Sequence, residues 1–256
     1  MTETNTLLHT EGLSKHFGGL RAVDRVDLAV RPGEILGLIG PNGAGKTTLF
    51  NLISGILRPT AGRIWFRGRE IQGRRPHQIA ALGVGRTFQI VRPFRSLTAL
   101  ENVLAAVGHP YYPSLWAFAA SFRAPAYQRR AWALLERVGL QEYGAVRAGT
   151  LPIGLQRRLE IARALALDPV LLLLDESAAG LVHEEAAELA DLIRSLRDDG
   201  ITIILVEHNM PFAMGLCDRI VVLAHGQVIA EGPPEEVQND PLVIEAYLGH
   251  RKAGSP

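Results

Sequence analysis

Two rhythms alternate along this chain. Short apolar runs stand at Ile35–Ile39, Val170–Leu174, Ile201–Val206 and Arg219–Leu223. Runs this short, with hardly a polar position, read as strands buried on both faces. Between or after them, apolar residues recur at helical spacing in Lys46–Ile56, Leu155–Ala166, Glu184–Asp198 and Met210–Leu216. The alternation predicts an α/β fold, a mostly parallel sheet with helices on its faces. Two segments depart from it. In Leu7–Val30, the residues Val26, Leu28 and Val30 alternate with Asp27 and Ala29. That period of two predicts antiparallel strands solvated on one side, which Gly62–Phe66 can join. From Thr98 to Gly149 strand signals are weak, the composition is helical, and Pro110, Pro113 and Pro125 break the stretch into pieces. Its run Leu115–Phe122 is apolar and aromatic. It reads either as the core of a small helical subdomain or as a surface groove for a partner helix. Arg251–Pro256 reads as a frayed tail.

Composition narrows the classes. At 256 residues, 47% hydrophobic and 21% charged, the chain has the make-up of a globular protein of one large or two small domains. With 27 basic and 26 acidic residues the net charge is +1, which gives no electrostatic case for nucleic acid as a partner. Cys217 is the only cysteine, so no internal disulfide forms, and a reducing, cytoplasmic location is expected. Met1–Thr10 lacks the design of a secretion signal. No apolar run approaches the ~18–20 residues that span a bilayer. A membrane role is therefore expected to come through another chain.

The chemistry concentrates in Gly40-Pro41-Asn42-Gly43-Ala44-Gly45-Lys46-Thr47-Thr48, which fits the phosphate-binding pattern G-x-x-x-x-G-K-[ST]. Glycines let backbone N–H groups approach phosphate oxygens, Lys46 supplies a point charge, and the Thr47 hydroxyl suits Mg²⁺. The expected strand precedes the loop and the expected helix follows it, with the positive end of the helix toward the phosphates. Leu171–Glu176 is an apolar strand ending in two acids. Asp175 suits the metal, and Glu176 suits polarising an attacking water; standing alone, such a pair reads equally well as solvated acids. His208 closes the next buried run and can donate to a γ-phosphate, or simply end a strand. Gln89, in Thr87-Phe88-Gln89, can contact the metal or the lytic water. Phe17, before Gly18-Gly19, can stack on a purine or pack in the core.

Together these residues resemble the nucleotide-binding subunit of ABC transporters, over almost the whole chain from Phe17 to Gly249. The resemblance implies a P-loop NTPase core, an antiparallel β-subdomain and a helical subdomain. It places the core with its β-subdomain at about 7–92 and 165–232, the helical subdomain at about 93–164, and a C-terminal extension at about 233–256. It makes Phe17 the adenine-stacking aromatic, Gly40–Thr48 the Walker A loop for ATP, and Asp175 the Walker B ligand of Mg²⁺ with Thr47 and Gln89. Glu176 becomes the catalytic glutamate and His208 the switch histidine, with Gln89 as the Q-loop residue. Leu151-Pro152-Ile153-Gly154-Leu155-Gln156-Arg157 falls where the family signature Leu-Ser-Gly-Gly-Gln stands, so Leu151 and Gly154 face nucleotide across a head-to-tail dimer. The insertion Ala105–Gln128 and the ending Val243–Gly249 look like an ATPase subunit of branched-chain amino acid importers, with urea and short-chain amide importers similar. The implied partners are a second ATPase subunit, two membrane permeases and, indirectly, a periplasmic binding protein, with no nucleic acid. The implied location is the cytoplasmic face of the inner membrane. A soluble ABC ATPase of translation or DNA repair usually carries two cassettes or a long coiled coil, and a small-molecule kinase would not explain the Leu155–Ala166 helix.

The departures cluster in the elements that face the partner. Pro152 stands where the signature has Ser, and Leu155 where it has Gln. Val182 replaces an Asp or Asn, while Ser177 and His183 replace prolines. Proline offers a phosphate neither a hydroxyl nor an N–H. This predicts an asymmetric pair, in which the site built on this chain's own Walker A is competent and the site using its signature is weaker.

Overall fold

The structure, a computed structural model of the chain, describes residues 6–87, 93–108 and 124–252, the last five by backbone alone. Among the described residues ten strands form two sheets. In the first, β1 (Leu8–Phe17), β2 (Leu20–Val30), β4 (Ala61–Phe66) and β5 (Arg69–Glu70) lie antiparallel in the order β2-β1-β4-β5. The second holds β3 (Ile35–Ile39), β6 (Val84–Arg86), β7 (Leu171–Asp175), β8 (Thr202–Val206), β9 (Arg219–Ala224) and β10 (Gln227–Gly232), in the order β10-β9-β3-β8-β7-β6. Its pairings are parallel except for β10 with β9.

Every residue of β3, β7 and β8 is buried, as the apolar runs require. Alternate residues feed two separate cores. Ile35, Ile39, Leu172, Leu174, Ile203 and Leu205 face the core shared with helices Ala99–Val107, Pro125–Arg137, Ile153–Leu165, His183–Asp198 and Met210–Leu216. Leu36, Leu38, Leu171, Leu173, Ile204 and Val206 face the other. That second core joins Leu49, Phe50, Leu52 and Ile53 of helix Lys46–Ile53 to Leu8, Leu28, Val30, Ile64 and Phe66 of the antiparallel sheet. Fully burying each such side chain stabilises by ~1.5–3 kcal/mol. The phosphate-loop helix is thus fixed from both sides.

Several boundaries differ from the pattern reading, each for a local reason. The first helix stops at Ile53, not Ile56, because Gly55 turns left-handed (φ 74°) and its N–H bonds the Leu52 carbonyl. Pro125 divides the stretch by opening a helix, and at that first-turn position its missing N–H costs nothing. Helix Ala99–Val107 begins on a reciprocal cap: Thr98 N–H donates to Glu101 Oε2 (2.7 Å), and Glu101 N–H donates to Thr98 Oγ1 (3.2 Å). Strand β10 was not anticipated. It hangs on the two-residue turn His225-Gly226, both at positive φ (50° and 79°), the backbone a tight hairpin needs. Two C-terminal helices, Pro234–Gln238 and Pro241–Lys252, follow, so Arg251 and Lys252 are helical rather than tail. Pro110, Pro113 and Leu115–Phe122 lie outside the described residues.

Candidate nucleotide-binding site

The loop Gly40–Thr48 links β3 to helix Lys46–Ile53. Two of its glycines admit no side chain. A Cβ on Gly40 (φ 148°) would lie 2.0 Å from the Leu223 carbonyl oxygen, and one on Gly45 (φ 106°) 2.3 Å from that of Ala22. The helix opens with no side-chain cap and no acidic residue in its first turn. Its orphan N–H donors and positive dipole end are therefore left for an anion. Lys46 Nζ donates to the carbonyls of Gly40 (2.7 Å) and Pro41 (3.0 Å), folding its charge back onto the loop. Burial lowers the Lys46 pKa, and Glu176 and Asp175 work against that shift.

One cavity of about 520 Å³ gathers Phe17, Asn42, Gly43, Ala44, Gly45, Lys46, Thr47 and Thr48 with Glu176 and His208. The pieces come from four places in the chain, and β3, β7 and β8 deliver three of them to one sheet edge. Phe17 is half exposed at the end of β1, with Lys15 Nζ 5.1 Å from its ring centre. Glu176 leaves β7 at φ 48°, a left-handed conformation that costs a non-glycine residue energy and is typical of sites where geometry is over-determined. Its N–H donates to Val206 (2.9 Å), and its Oε1 lies 2.7 Å from His208 Nε2. Arg21 and His225 also line the cavity, a contribution invisible to motif reading because it comes from two distant hairpins.

Two buried charges beside the cavity were also not anticipated. Glu207 is buried and accepts from the Ala178 N–H (2.9 Å) and Ser177 Oγ (3.3 Å), pinning the segment after Glu176. Burial pushes the Glu207 pKa above the usual carboxylate range, and those hydrogen bonds only partly oppose it. A carboxyl with a raised folded-state pKa adds stability below its unfolded pKa and loses it as pH rises through the folded value. Glu207→Gln removes that titration. Relative to the parent, its stability should rise as pH climbs above the ordinary glutamate pKa of about 4, read from urea midpoints at several pH values; a pH-independent difference contradicts this.

The second charge is Arg86, whose guanidinium bonds Asn51 Oδ1 (2.8 Å), Ser54 Oγ (2.6 Å) and Asp175 Oδ2 (3.3 Å). It ties β6, the phosphate-loop helix and the acid at the end of β7 together. Asp175 is almost wholly buried; burial raises its pKa and Arg86 opposes the rise. Its other oxygen, Oδ1, is buried with no partner among the described residues. No group of three or more His, Cys, Asp or Glu side chains suited to a metal occurs among them. That one orphaned carboxylate oxygen fits Mg²⁺, which is usually held by one or two carboxylates and the phosphates of a bound nucleotide.

Comparison with known proteins decides the family. A sequence model described as ABC transporter matches residues 23–179, more than half of the chain. The high-affinity branched-chain amino acid transport ATP-binding protein LivG of Salmonella typhimurium is 48% identical over 251 residues, covering 95% of this chain and 98% of the relative. The chain belongs to the ABC transporter family. It is an ATP-binding cassette, the ATPase subunit of such a transporter. BraF of Pseudomonas aeruginosa, named for the same transport, is 45% identical over 251 residues, with 95% and 98% covered. A cassette of an ABC transporter solved in its ADP conformation superposes with a TM-score of 0.87 at 32% identity, covering 96% of this chain and all of that one. A second sequence model, described as Branched-chain amino acid ATP-binding cassette transporter, matches residues 227–253.

The segment Leu151–Arg157 stands apart from this cavity. Leu151 and Gly154 sit where helix Ile153–Leu165 begins, and neither lines the cavity. Pro152 is the N-cap and offers no side-chain bond. A Cβ on Gly154 would lie 2.9 Å from Glu185 Oε1, so this glycine packs against the segment that follows Val182. Ile153 and Val182 are exposed there, at 43% and 63%. Gln89 lies outside the described residues, as does Arg92; Phe94 is exposed, with the Arg163 guanidinium 4.8 Å from its ring. Among the described residues no helix is long and apolar enough to cross a membrane.

Proposed function

We propose that this cassette binds Mg²⁺·ATP in the cavity around Gly40–Thr48 and powers an importer for branched-chain amino acids or related small polar solutes. The observation that carries the nucleotide part is the single cavity joining the phosphate loop to Glu176 and His208. The solute class rests on the printed names of LivG and BraF and on the C-terminal match at residues 227–253. Phe17 stacks on the adenine, the loop N–H groups and Lys46 hold the phosphates, and Glu176 orients water for in-line attack. His208, hydrogen-bonded to Glu176, stabilises charge on the γ-phosphate. Thr47 and Asp175, with Gln89, would hold Mg²⁺, which when bound neutralises phosphate charge.

The working unit in this reading is a head-to-tail dimer with a second ATPase subunit, and a dimeric cassette of 26% identity supports it. Leu151 and Gly154 then complete the partner's site. Two permeases and, through them, a periplasmic binding protein finish the assembly at the cytoplasmic face of the membrane. The division at about 7–92 with 165–232, 93–164 and 233–256 describes which parts carry nucleotide, signature and C-terminal extension.

A second reading, a nucleotide-binding partner that hydrolyses weakly at one of the two sites, is favoured by Pro152, Leu155 and Val182. Two lost hydrogen bonds to phosphate, at ~1.5–3 kcal/mol each, are enough to slow one site by a factor of a hundred or more. Phosphate release by the reconstituted ATPase pair tests both. Release abolished by Glu176→Gln in this chain, but little changed by Pro152→Ser, supports the first reading. Release raised severalfold by Pro152→Ser supports the second, and no release from any combination defeats both.

A further inference from the structure

Strands β7 and β8 run parallel, with Asp175 opposite Val206 at their last paired position. The two chains stay joined beyond it. Glu176 N–H donates to the Val206 carbonyl (2.9 Å). One residue further on, the link passes to a side chain: Glu207 Oε1 accepts from Ala178 N–H (2.9 Å) and from Ser177 Oγ (3.3 Å). The outermost contact is that of Glu176 Oε1 with His208 Nε2, 2.7 Å apart. Residues 176–178 are thus bound to residues 206–208 by backbone, buried carboxylate and catalytic pair in turn.

Glu207 is 2% exposed and does not line the nucleotide cavity, so it stands behind the reacting atoms rather than among them. Burying a carboxylate costs more than burying an apolar side chain of its size, and packing alone does not account for one here. The residues it holds do. They follow directly on Glu176, whose left-handed φ of 48° persists only where the surroundings enforce it. On one side of Glu176 the sheet enforces that turn; on the other the bonds to Glu207 do. We propose that Glu207 is a positioning residue for Glu176: by fixing Ser177 and Ala178 it holds the backbone from which the water-orienting carboxylate projects. This rests on the nucleotide reading above. Both bonds end on one oxygen, so the site requires the reach of the side chain and not its charge. Glutamine supplies that oxygen at the same place. Aspartate, one methylene shorter, keeps the charge and withdraws the oxygen.

The test compares Glu207→Asp with Glu207→Gln in the reconstituted ATPase pair, with kcat and KM for Mg²⁺·ATP read from phosphate release. Glu207→Asp should lower kcat by about ten- to a hundredfold, the cost of a reacting group misplaced by about 1 Å, with KM within about twofold of the parent. Glu207→Gln should hold kcat within about threefold. In the Glu176→Gln background, where the carboxylate is already gone, Glu207→Asp should add no further loss in a single turnover. If Glu207→Asp does not fold, Ser177→Ala takes its place; it removes one of the two bonds and should lower kcat by about threefold or more at unchanged KM. An unchanged kcat in the variant that folds overturns the proposal. So does Glu207→Gln as impaired as Glu207→Asp, a loss shared between kcat and KM, or a loss that multiplies with that of Glu176→Gln. A parent pair that releases no phosphate defeats the function proposed above and this inference with it, whereas a competent pair indifferent to Glu207→Asp defeats this inference alone.

Discussion

Lys46→Ala is expected to lose Mg²⁺·ATP binding by about a hundredfold or more. The ammonium is the one side-chain cation of the loop itself, and two charge-assisted bonds to phosphate at ~1.5–3 kcal/mol each account for at least that factor. The empty chain responds separately. Lys46 Nζ satisfies the carbonyls of Gly40 and Pro41. Removing it therefore strips donors from two acceptors, and a modest fall in Tm should accompany the loss of affinity. Lys46→Arg separates the two effects. Arginine keeps the charge, but its planar fork does not match a site built around a compact ammonium, so affinity should fall while electrostatic attraction at low salt persists. Calorimetry on the three proteins, at two ionic strengths, reads this directly. Lys46→Ala binding within threefold of the parent would remove Lys46 from the site.

Local patterns carried the glycine-rich loop between strand and helix, the acids after the leucine run and the α/β alternation, because each depends on residues close in sequence. Gly40–Thr48 brings its own conformation, and the loop could be recognised before its neighbours were known. What stayed hidden depends on contacts between distant segments. Arg86 meets Asp175 across 89 positions, and nothing in Val84-Gly85-Arg86 announces a buried cation. Glu207 stands beside His208 and drew no notice, yet it pins Ala178 across 29 positions. Tyr247 read as part of a family ending until helix Pro241–Lys252 packed it onto the core that holds Ile39. Strand β10 was missed because half-exposed residues such as Val228, Ile229 and Ala230 alternate poorly, and its pairing is imposed by the left-handed turn at His225-Gly226. The first helix end went astray where one residue decides, at Gly55.

Glu176→Gln should leave ATP binding within a few-fold of the parent while slowing turnover by about 10²–10⁴, the range a positioned general base commonly supplies. The substitution is nearly isosteric, so the φ of 48° and the bond from its N–H to Val206 are retained, and Tm should barely move. The glutamine can still accept from His208, but it has no charge with which to polarise water. The paired histidine sharpens the test. His208 Nε2 lies 2.7 Å from Glu176 Oε1, so each residue helps to orient the other, and their effects on turnover should be far from additive. His208→Ala in the Glu176→Gln background should therefore add little to the loss, whereas two independent contributors would multiply. With hydrolysis stopped and ATP retained, the nucleotide-bridged dimer should persist and elute at twice the monomer mass in ATP but not in ADP. Asp175→Asn is the contrast, since a change at the acid that faces Arg86 should weaken the Mg²⁺ dependence of binding itself. Wild-type phosphate release from Glu176→Gln, measured in a single turnover with the reconstituted partner, would take the attacking water away from this side chain.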